Sequence, residues 1–129
     1  MRREIKIMLV EDSIEDATFT EHVLKFNKLQ KDLVLAANGQ DALQALEKCD
    51  RDQSHPNLIL LDINLPDISG MDLLKQIKKD ARFSKIPVVI LTGSNEDEDI
   101  QKSYDLGAGS YLVKPISNGA LMQVIERLF

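Results

Sequence analysis

The segment Leu58-Ile59-Leu60-Leu61-Asp62 decides the fold, because four consecutive apolar residues end abruptly in a carboxylate. A run this short and this apolar is typical of a strand that is buried on both faces of a parallel sheet. The carboxyl ends of such strands form the edge at which open α/β sheets bind ligands. We therefore predict that residues 58–61 form a central strand and that Asp62 lies in the functional site.

Similar short runs occur on both sides of this segment and alternate with amphipathic stretches. In the stretches the apolar residues have helical spacing, as at Met71, Leu74 and Ile77. Regular alternation of strands and helices predicts a parallel sheet covered by helices on both faces and joined by right-handed crossovers. The predicted strands are Ile5–Val10, Leu33–Ala37, Leu58–Leu61, Ile86–Leu91 and Ser110–Val113.

The composition of the runs also predicts their order in the sheet. The first, third and fourth runs are almost continuously apolar, whereas the second ends in two alanines and the fifth includes Ser110 and Tyr111, as edge strands do. The order 2-1-3-4-5 follows, which is the flavodoxin-like arrangement of a doubly wound α/β domain. Its ligand crevice lies between strands one and three. We expect the polar stretch Asp50–Pro56 to be a surface loop.

Length and charge exclude several classes of protein. The 129 residues are 43% hydrophobic and 29% charged, which predicts one compact domain over residues 1–129. With 16 basic and 21 acidic residues the net charge is −5, so nothing favours binding to nucleic acid or to anionic lipid. The single cysteine, Cys49, excludes an intrachain disulfide, and we find neither a long apolar span nor a signal sequence. A cytoplasmic protein with no nucleic-acid or membrane partner is expected.

Polar residues follow four of the predicted strands. Glu11 and Asp12 follow the first, Asp62 the third, Thr92 the fourth and Lys114 the fifth. Because neighbouring strands lie about 4.8 Å apart, these side chains should converge in one crevice. Clustered carboxylates repel each other unless they share protons or bind a cation, and Mg²⁺ prefers such oxygen ligands. We predict a Mg²⁺ site at Glu11, Asp12 and Asp62, and the lack of accompanying His or Cys argues against zinc.

The same residues predict phosphoryl chemistry. Beside a metal ion, Asp62 can act as a nucleophile and form an acyl phosphate. The metal, the Lys114 ammonium and the Thr92 hydroxyl would meet the three phosphoryl oxygens. The sequence has no phosphate-binding glycine loop, so the donor must be a separate molecule. Asn64, two residues after Asp62, cannot abstract a proton, and we therefore expect the acyl phosphate to persist.

These motifs resemble the receiver domain of two-component response regulators over essentially the whole chain. The matching segments are Met8–Asp12, Leu58–Asp62, Leu65–Gly70, Thr92, Tyr111 and Lys114–Pro115. The resemblance implies that Asp62 accepts a phosphoryl group from the phosphohistidine of a histidine kinase. It also implies that Asp12 and the Asn64 backbone carbonyl bind Mg²⁺, with Glu11 close to the ion or linked to it by water.

The resemblance assigns roles to the remaining residues as well. Lys114 would pair with the phosphoryl group, Thr92 would move to bond it, and Tyr111 would rotate inward behind Thr92. The Lys114–Pro115 peptide bond would be cis. The signal would leave through the surface of the fourth helix, the fifth strand and the fifth helix and reach a downstream protein partner.

A narrower resemblance concerns the Asp50–Pro56 connection and the segment 103–108, which are similar to those of small stand-alone regulators paired with bacterial phytochrome kinases. It implies a phytochrome-type histidine kinase as partner. Similar regulators often dimerise through the face of the fourth and fifth helices, which leaves open a homodimer that includes Phe129.

Two other functions stay open at the level of sequence. An aspartate-nucleophile phosphatase of the haloacid dehalogenase type shares Asp, Mg²⁺ and Lys, but Asn64 stands where that class needs a second aspartate. A binding module could keep the fold without ever carrying phosphate.

Two local features predict structure rather than chemistry. Ser13 and Asp16 resemble a capping box at the start of the first helix. The fourth helix, with Ser94 as its cap, should offer only Ile100 and Tyr104 to the core, so we expect it to be weakly held and able to respond to phosphorylation.

Overall fold

In this computed structural model of the protein, residues 5–27, 30–93 and 97–129 are described. Five strands alternate with five helices along the chain. The strands are β1 (Ile5–Val10), β2 (Gln30–Ala36), β3 (Leu58–Asp62), β4 (Val88–Thr92) and β5 (Ser110–Val113). The helices are α1 (Ile14–Phe26), α2 (Gly39–Arg51), α3 (Gly70–Lys79), α4 (Asp97–Asp105) and α5 (Asn118–Leu128).

The strands form one sheet in the order β2-β1-β3-β4-β5, and every pair is parallel. This arrangement confirms the predicted fold class and strand order. All residues of β3 and β4 are buried, as the continuous apolar runs predicted, whereas β2 and β5 lie at the edges. In the register, Asp62 of β3 pairs with Leu91 of β4, and Thr92 pairs with Val113 of β5. The carboxyl ends of β1, β3, β4 and β5 are therefore brought to one edge of the sheet.

The sheet separates two hydrophobic cores. Alternate residues of the central strands point to opposite faces, so Leu61 packs in one core and Leu60 in the other. The first core is completed by apolar residues of α2 and α3, and the second by residues of α1 and α5. None of the described residues of α4 is among the members of either core.

Several predicted boundaries are shifted. β4 begins at Val88 and not at Ile86, because Pro87 between them has no N–H to donate to the sheet. β2 runs over residues 30–36 and not 33–37. The helix α2 continues through Arg51, so the predicted Asp50–Pro56 loop begins only at Asp52, whose backbone N–H caps the helix by bonding the Lys48 carbonyl.

The prediction for α4 was partly wrong. Tyr104 is 45% exposed and does not enter the core, and Ile100 is only partly buried. Among the residues of α4 whose side chains are described, only Ser103 is fully buried, and its hydroxyl donates to the Asp99 carbonyl at 2.9 Å. The predicted cap, Ser94, lies outside the described residues. The described part of α4 thus buries a small polar side chain in place of the aromatic one that the sequence predicted.

The end of the sheet opposite the carboxyl edge is held by charged side chains. Arg82, in the loop before β4, binds the carboxylate of Glu47 on α2 at 2.7 and 2.8 Å and that of Asp80 at 2.7 Å. The guanidinium also lies 4.7 Å from the ring centroid of Phe83. We call Arg82, Glu47, Asp50 and Asp80 the distal ion cluster. Among the described residues, no helix is long and apolar enough to cross a membrane.

Candidate functional site

Three carboxylates meet at the carboxyl edge of the sheet. Glu11 and Asp12 follow β1 and Asp62 ends β3, and one oxygen of each lies within 4.8 Å of the others. Glu11 and Asp62 are buried, whereas Asp12 is exposed. The structure therefore brings together the three acidic residues that the sequence selected. An all-oxygen donor set with one face open to solvent fits a hard divalent cation that keeps some of its water.

Lys114, just beyond β5, reaches across the sheet to these carboxylates. Its Nζ donates to Glu11 at 2.6 Å, to Asp16 at 2.9 Å and to Asp62 at 3.1 Å. Burial alone, the largest single contribution, would lower the pKa of Lys114, but these three bonds raise it well above its usual value. The side chain is therefore a permanent cation at neutral pH.

The pKa of Glu11 is strongly raised by its surroundings. Desolvation by burial, a hydrogen bond with Asp62 and the negative charge of Asp62 raise its pKa, and they outweigh the opposing effect of Lys114. The pKa of Glu11 is about 7, against an ordinary value of 4.5. In the metal-free protein, Glu11 is therefore protonated in a substantial fraction of molecules near neutral pH.

Thr92 and Tyr111 lie on the neighbouring strands. Thr92 ends β4 and is fully buried, and its backbone carbonyl accepts the N–H of Lys114 at 2.6 Å. This bond fixes the start of the Lys114 side chain beside the end of β4. Tyr111 of β5 pairs in register with Ile90 and is half-buried against the first core. The Lys114–Pro115 peptide bond is cis, which confirms the expectation.

The loop from β3 to α3 begins at the carboxylate of Asp62. The Asn64 N–H donates to Asp62 Oδ1 at 2.9 Å, so Asn64 lies against the predicted nucleophile while its side chain is exposed. The Gly70 N–H closes the loop on the Ile63 carbonyl at 2.9 Å. A Cβ on Gly70 would lie 2.4 Å from the Asp62 carbonyl oxygen, so only glycine allows α3 to approach the strand this closely.

Asp67, in the same loop, is a site-supporting residue that the sequence analysis missed. Its two carboxylate oxygens accept the N–H groups of Gly39 and Gln40, both at 2.8 Å, at the first turn of α2. These backbone bonds lower the pKa of Asp67. The N-terminus of a helix attracts carboxylates, so the predicted start of α2 was a signal for such a partner. Asp67 could not be identified as that partner, because it lies 28 positions from Gly39 in the sequence.

Asp16 was predicted only as half of a capping box. Ser13 does cap α1, since its hydroxyl accepts the Asp16 N–H at 3.2 Å. The return bond is made instead by Glu11, whose Oε2 accepts the Ser13 N–H at 3.3 Å. The carboxylate of Asp16 therefore takes no part in a capping box and accepts a hydrogen bond from Lys114 instead. The sequence spacing could have placed Asp16 near the site, because Asp16 lies one helical turn beyond Asp12.

A five-stranded sheet of this order with an acid pair, a strand-ending aspartate and a facing lysine defines a receiver domain. The sequence model of the response regulator receiver domain family matches residues 7–126, and the chain belongs to this family. It is 35% identical over 122 residues to the response regulator Rcp1 of Synechocystis sp., which covers 93% of this chain and 83% of that protein.

Solved structures give the same result. The Mn²⁺-bound form of the response regulator Rcp1 has a TM-score of 0.77 at 35% identity, over 93% of this chain and 88% of that one. The phosphorylated cyanobacterial phytochrome response regulator RcpA has a TM-score of 0.82 at 34% identity, over 98% of this chain and 91% of that one. The chain is thus similar to phytochrome response regulators. One of these relatives is described with a divalent metal and the other with a phosphoryl group.

Proposed function

We propose that this receiver accepts a phosphoryl group on Asp62 from a histidine kinase, in the presence of Mg²⁺, and signals through contacts with another protein. The observation that carries the proposal is the meeting of Asp62 and Lys114 at 3.1 Å in a crevice with two further carboxylates. A carboxylate beside a fixed cation can receive an anionic group whose charge the cation then balances. Residues 1–129 would act as one receiver unit, and a cytoplasmic location stays a prediction.

The residues present fit a Mg²⁺ ion. Glu11, Asp12 and Asp62 offer carboxylate oxygens within 4.8 Å of one another, and the backbone carbonyl of Asn64 is the fourth protein ligand that we assign. The raised pKa of Glu11, which burial and the neighbouring Asp62 cause, supports this assignment, because a bound cation would stabilise the charged carboxylates. When bound, the ion would supply positive charge for phosphoryl oxygens.

The protein's own residues would perform the rest of the chemistry. An oxygen of Asp62 forms the bond to phosphorus while the bond from phosphorus to the donor breaks, and the donor leaves with the electron pair. Lys114 balances the charge of the transferred group, and the Thr92 hydroxyl donates to one of its oxygens. Asn64 offers no base two residues from Asp62, which supports a switch that holds phosphate rather than an enzyme that releases it rapidly. An aspartate-nucleophile phosphatase and a receiver-like module that is never phosphorylated are the alternatives.

The partners follow from the same proposal. Relatives named as phytochrome response regulators support a phytochrome-type histidine kinase as the donor. An exposed apolar residue occurs in α4, in β5 and directly after α5, which supports the surface of these elements as the contact surface for a downstream protein or for a second copy of the chain. These residues are Tyr104, Val113 and Phe129.

The test is intact-mass spectrometry after incubation with Mg²⁺ and either acetyl phosphate or phosphoramidate, a small analogue of phosphohistidine. We expect one labile phosphate adduct on the parent and on Asp72→Asn, a variant of an exposed acid on α3, and no adduct on Asp62→Asn. Continuous release of inorganic phosphate without an adduct would favour the phosphatase. The absence of both adduct and release, with a phosphorylated kinase also present, would favour the unphosphorylated module.

A further inference from the structure

We propose that Asp16 competes with the phosphoryl group on Asp62 for the ammonium of Lys114 and thereby slows phosphorylation. This inference rests on the function proposed above and adds a residue that controls its rate. Asp16 lies on α1 and has no place in the acidic cluster that fits the metal. It acts through Lys114 and is therefore a positioning residue.

The first step concerns the hydrogen-bonding capacity of Lys114. An ammonium group has three N–H donors and no acceptor. Three carboxylates lie within bonding distance of its Nζ, at 2.6, 2.9 and 3.1 Å. The ammonium is therefore fully occupied in the unphosphorylated protein. A phosphoryl oxygen must therefore compete for the N–H groups of Lys114 with the carboxylates that remain beside it.

The exposure of the three carboxylates indicates which one withdraws. The side chains of Glu11 and Asp62 are 1% and 6% exposed, whereas that of Asp16 is 48% exposed. A buried carboxylate that loses its cation has no water to replace it, which is costly. A half-exposed carboxylate is rehydrated at little cost, as in surface ion pairs. Asp16 is thus the partner that Lys114 can lose most easily.

The surroundings of Asp16 allow this movement. Asp16 and Lys114 lie in the wall of an open groove of about 250 Å³ between α1 and the start of the segment after β5. Its other lining residues are Phe19, Thr20, Pro115 and Ile116. The backbone of Asp16 is held in place, because its N–H donates a hydrogen bond of 3.2 Å to the hydroxyl of Ser13. The carboxylate can therefore turn into the groove by side-chain rotation alone.

The net effect of Asp16 on phosphorylation is then inhibitory. Its negative charge attracts Lys114 away from the position in which it would meet phosphoryl oxygens. The same charge repels an anionic donor that approaches a crevice already lined by Glu11, Asp12 and Asp62. An amide at position 16 would keep the shape of the side chain and remove both effects. Asp16 itself exchanges no proton in the transfer.

The test measures the rate of adduct formation by intact mass with acetyl phosphate and Mg²⁺. In this reaction an Asp62 oxygen bonds to phosphorus and acetate departs with the electrons of the broken phosphorus–oxygen bond. We expect Asp16→Asn to react about three to five times faster than the parent at low salt, and the gain to shrink in high salt because the charges are screened. Asp16→Glu should react like the parent. Glu15→Gln is the matched control, since it removes an acid of the same turn that does not bond Lys114.

A second measurement avoids the chemistry of transfer. Beryllofluoride, a non-reactive analogue of the phosphoryl group, should bind Asp16→Asn more tightly than the parent by a similar factor, as followed by amide shifts in NMR titrations with Mg²⁺. Thermal unfolding checks that each variant is folded, and Asp16→Ser replaces Asp16→Asn if the latter is not.

The inference is overturned if the parent forms the adduct but Asp16→Asn reacts at an equal or lower rate, or if Glu15→Gln gains as much. A lower rate would mean that Asp16 helps to place Lys114. If the parent and all variants form no adduct with any donor, the proposed function fails, and this inference fails with it.

Discussion

The carboxylate of Glu11 and the ammonium of Lys114 lie 2.6 Å apart, although the two residues are 103 positions apart in the chain. The contact joins the end of β1 to the segment after β5 and so spans the ends of β3 and β4 between them. The charge of one lysine therefore links the first and last strands of the chain. A change of protonation or of metal occupancy at Glu11 should therefore change the electrostatic environment of the other residues along the carboxyl edge.

The first prediction concerns pH and stability without divalent metal. Glu11 has a pKa of about 7 in the folded protein and an ordinary value of 4.5 when unfolded. Between these values the folded state holds a proton that the unfolded state has released, so the free energy of unfolding falls as pH rises from about 4.5 to about 7. Glu11→Gln should flatten this part of the profile in urea denaturation with a chelator. Glu15→Gln should leave the slope unchanged, and an unaltered slope in Glu11→Gln would contradict the pKa assignment.

The second prediction concerns metal binding. Asp12 is the exposed member of the acidic cluster, so its replacement should leave the fold intact while it removes a ligand. We expect Asp12→Asn to weaken Mn²⁺ or Mg²⁺ binding by at least about tenfold, since even indirect partners of metal ligands are worth that much. Isothermal titration calorimetry measures the affinity. Asp72→Asn is the control, and equal affinities of Asp12→Asn and the parent would remove Asp12 from the site.

A third prediction compares two glycines, each in the first turn of a helix, whose surroundings differ. A Cβ at Gly70 would lie 2.4 Å from both the Asp62 carbonyl oxygen and the Ile63 Cα, whereas a Cβ at Gly119 would meet nothing within 4 Å. Gly70→Ala should therefore lower the free energy of unfolding by about 1–3 kcal/mol, as overpacking does, and weaken metal binding by shifting Asp62. Gly119→Ala, in α5, should raise the free energy by about 0.5–1 kcal/mol. Chemical denaturation of both variants checks the pair.

The fourth prediction separates support of the loop from capping of a helix. Both Asp67 and Asn38 bond N–H groups in the first turn of α2, but only Asp67 also belongs to the loop that carries Asn64. Asn38→Ala should cost about 0.5–2 kcal/mol, the usual value of an N-cap, with metal affinity unchanged. Asp67→Ala should lower both stability and metal affinity. Calorimetric titration with Mn²⁺ would disprove the role of the loop if the two variants bound the ion equally.

The fifth prediction concerns α4. Five residues of α3 are buried, whereas in the part of α4 whose side chains are described only Ser103 is buried. Such a helix should open more readily than its neighbours, so amide exchange should be faster in residues 98–105 than in residues 70–79. Under the proposed function, beryllofluoride and Mg²⁺ should slow exchange in α4 more than in α3. Equal protection of the two helices under both conditions would contradict the prediction.

The sequence was sufficient for the fold because strand burial has a strong local signal. The continuous run before Asp62 fixed the central position of β3, and the mixed composition of residues 110–113 identified an edge strand. The acidic cluster could also be predicted, because its members follow directly on strands and parallel strands end at one edge. The boundaries near Pro87 and Arg51 were predicted wrongly, because the runs there merge with loops that are equally apolar or equally polar.

What could not be predicted depends on side chains that meet across long distances in sequence. Asp16 looked like a capping residue until Lys114, 98 positions away, was placed beside it. Tyr104 was predicted as a core residue together with Ile100, but the rotation of α4 buries Ser103 instead. The spacing of residues in a helix predicts which of them share a face. It does not predict which face will pack against the sheet.

The distal ion cluster and the carboxyl edge give the two ends of the molecule different chemical sensitivities. At the distal end, Arg82 is 41% exposed and its ion pairs are open to mobile ions, so ordinary salt should loosen the junction of α2 with the loop before β4. At the other end the ammonium of Lys114 is 19% exposed, and only Asp16 among its three carboxylate partners is half-exposed. Monovalent salt should therefore screen the Asp16 pair and affect the buried pairs with Glu11 and Asp62 little. A change in ionic strength would then weaken ion pairs mainly in the distal ion cluster. The carboxyl edge would keep its response to multivalent ions.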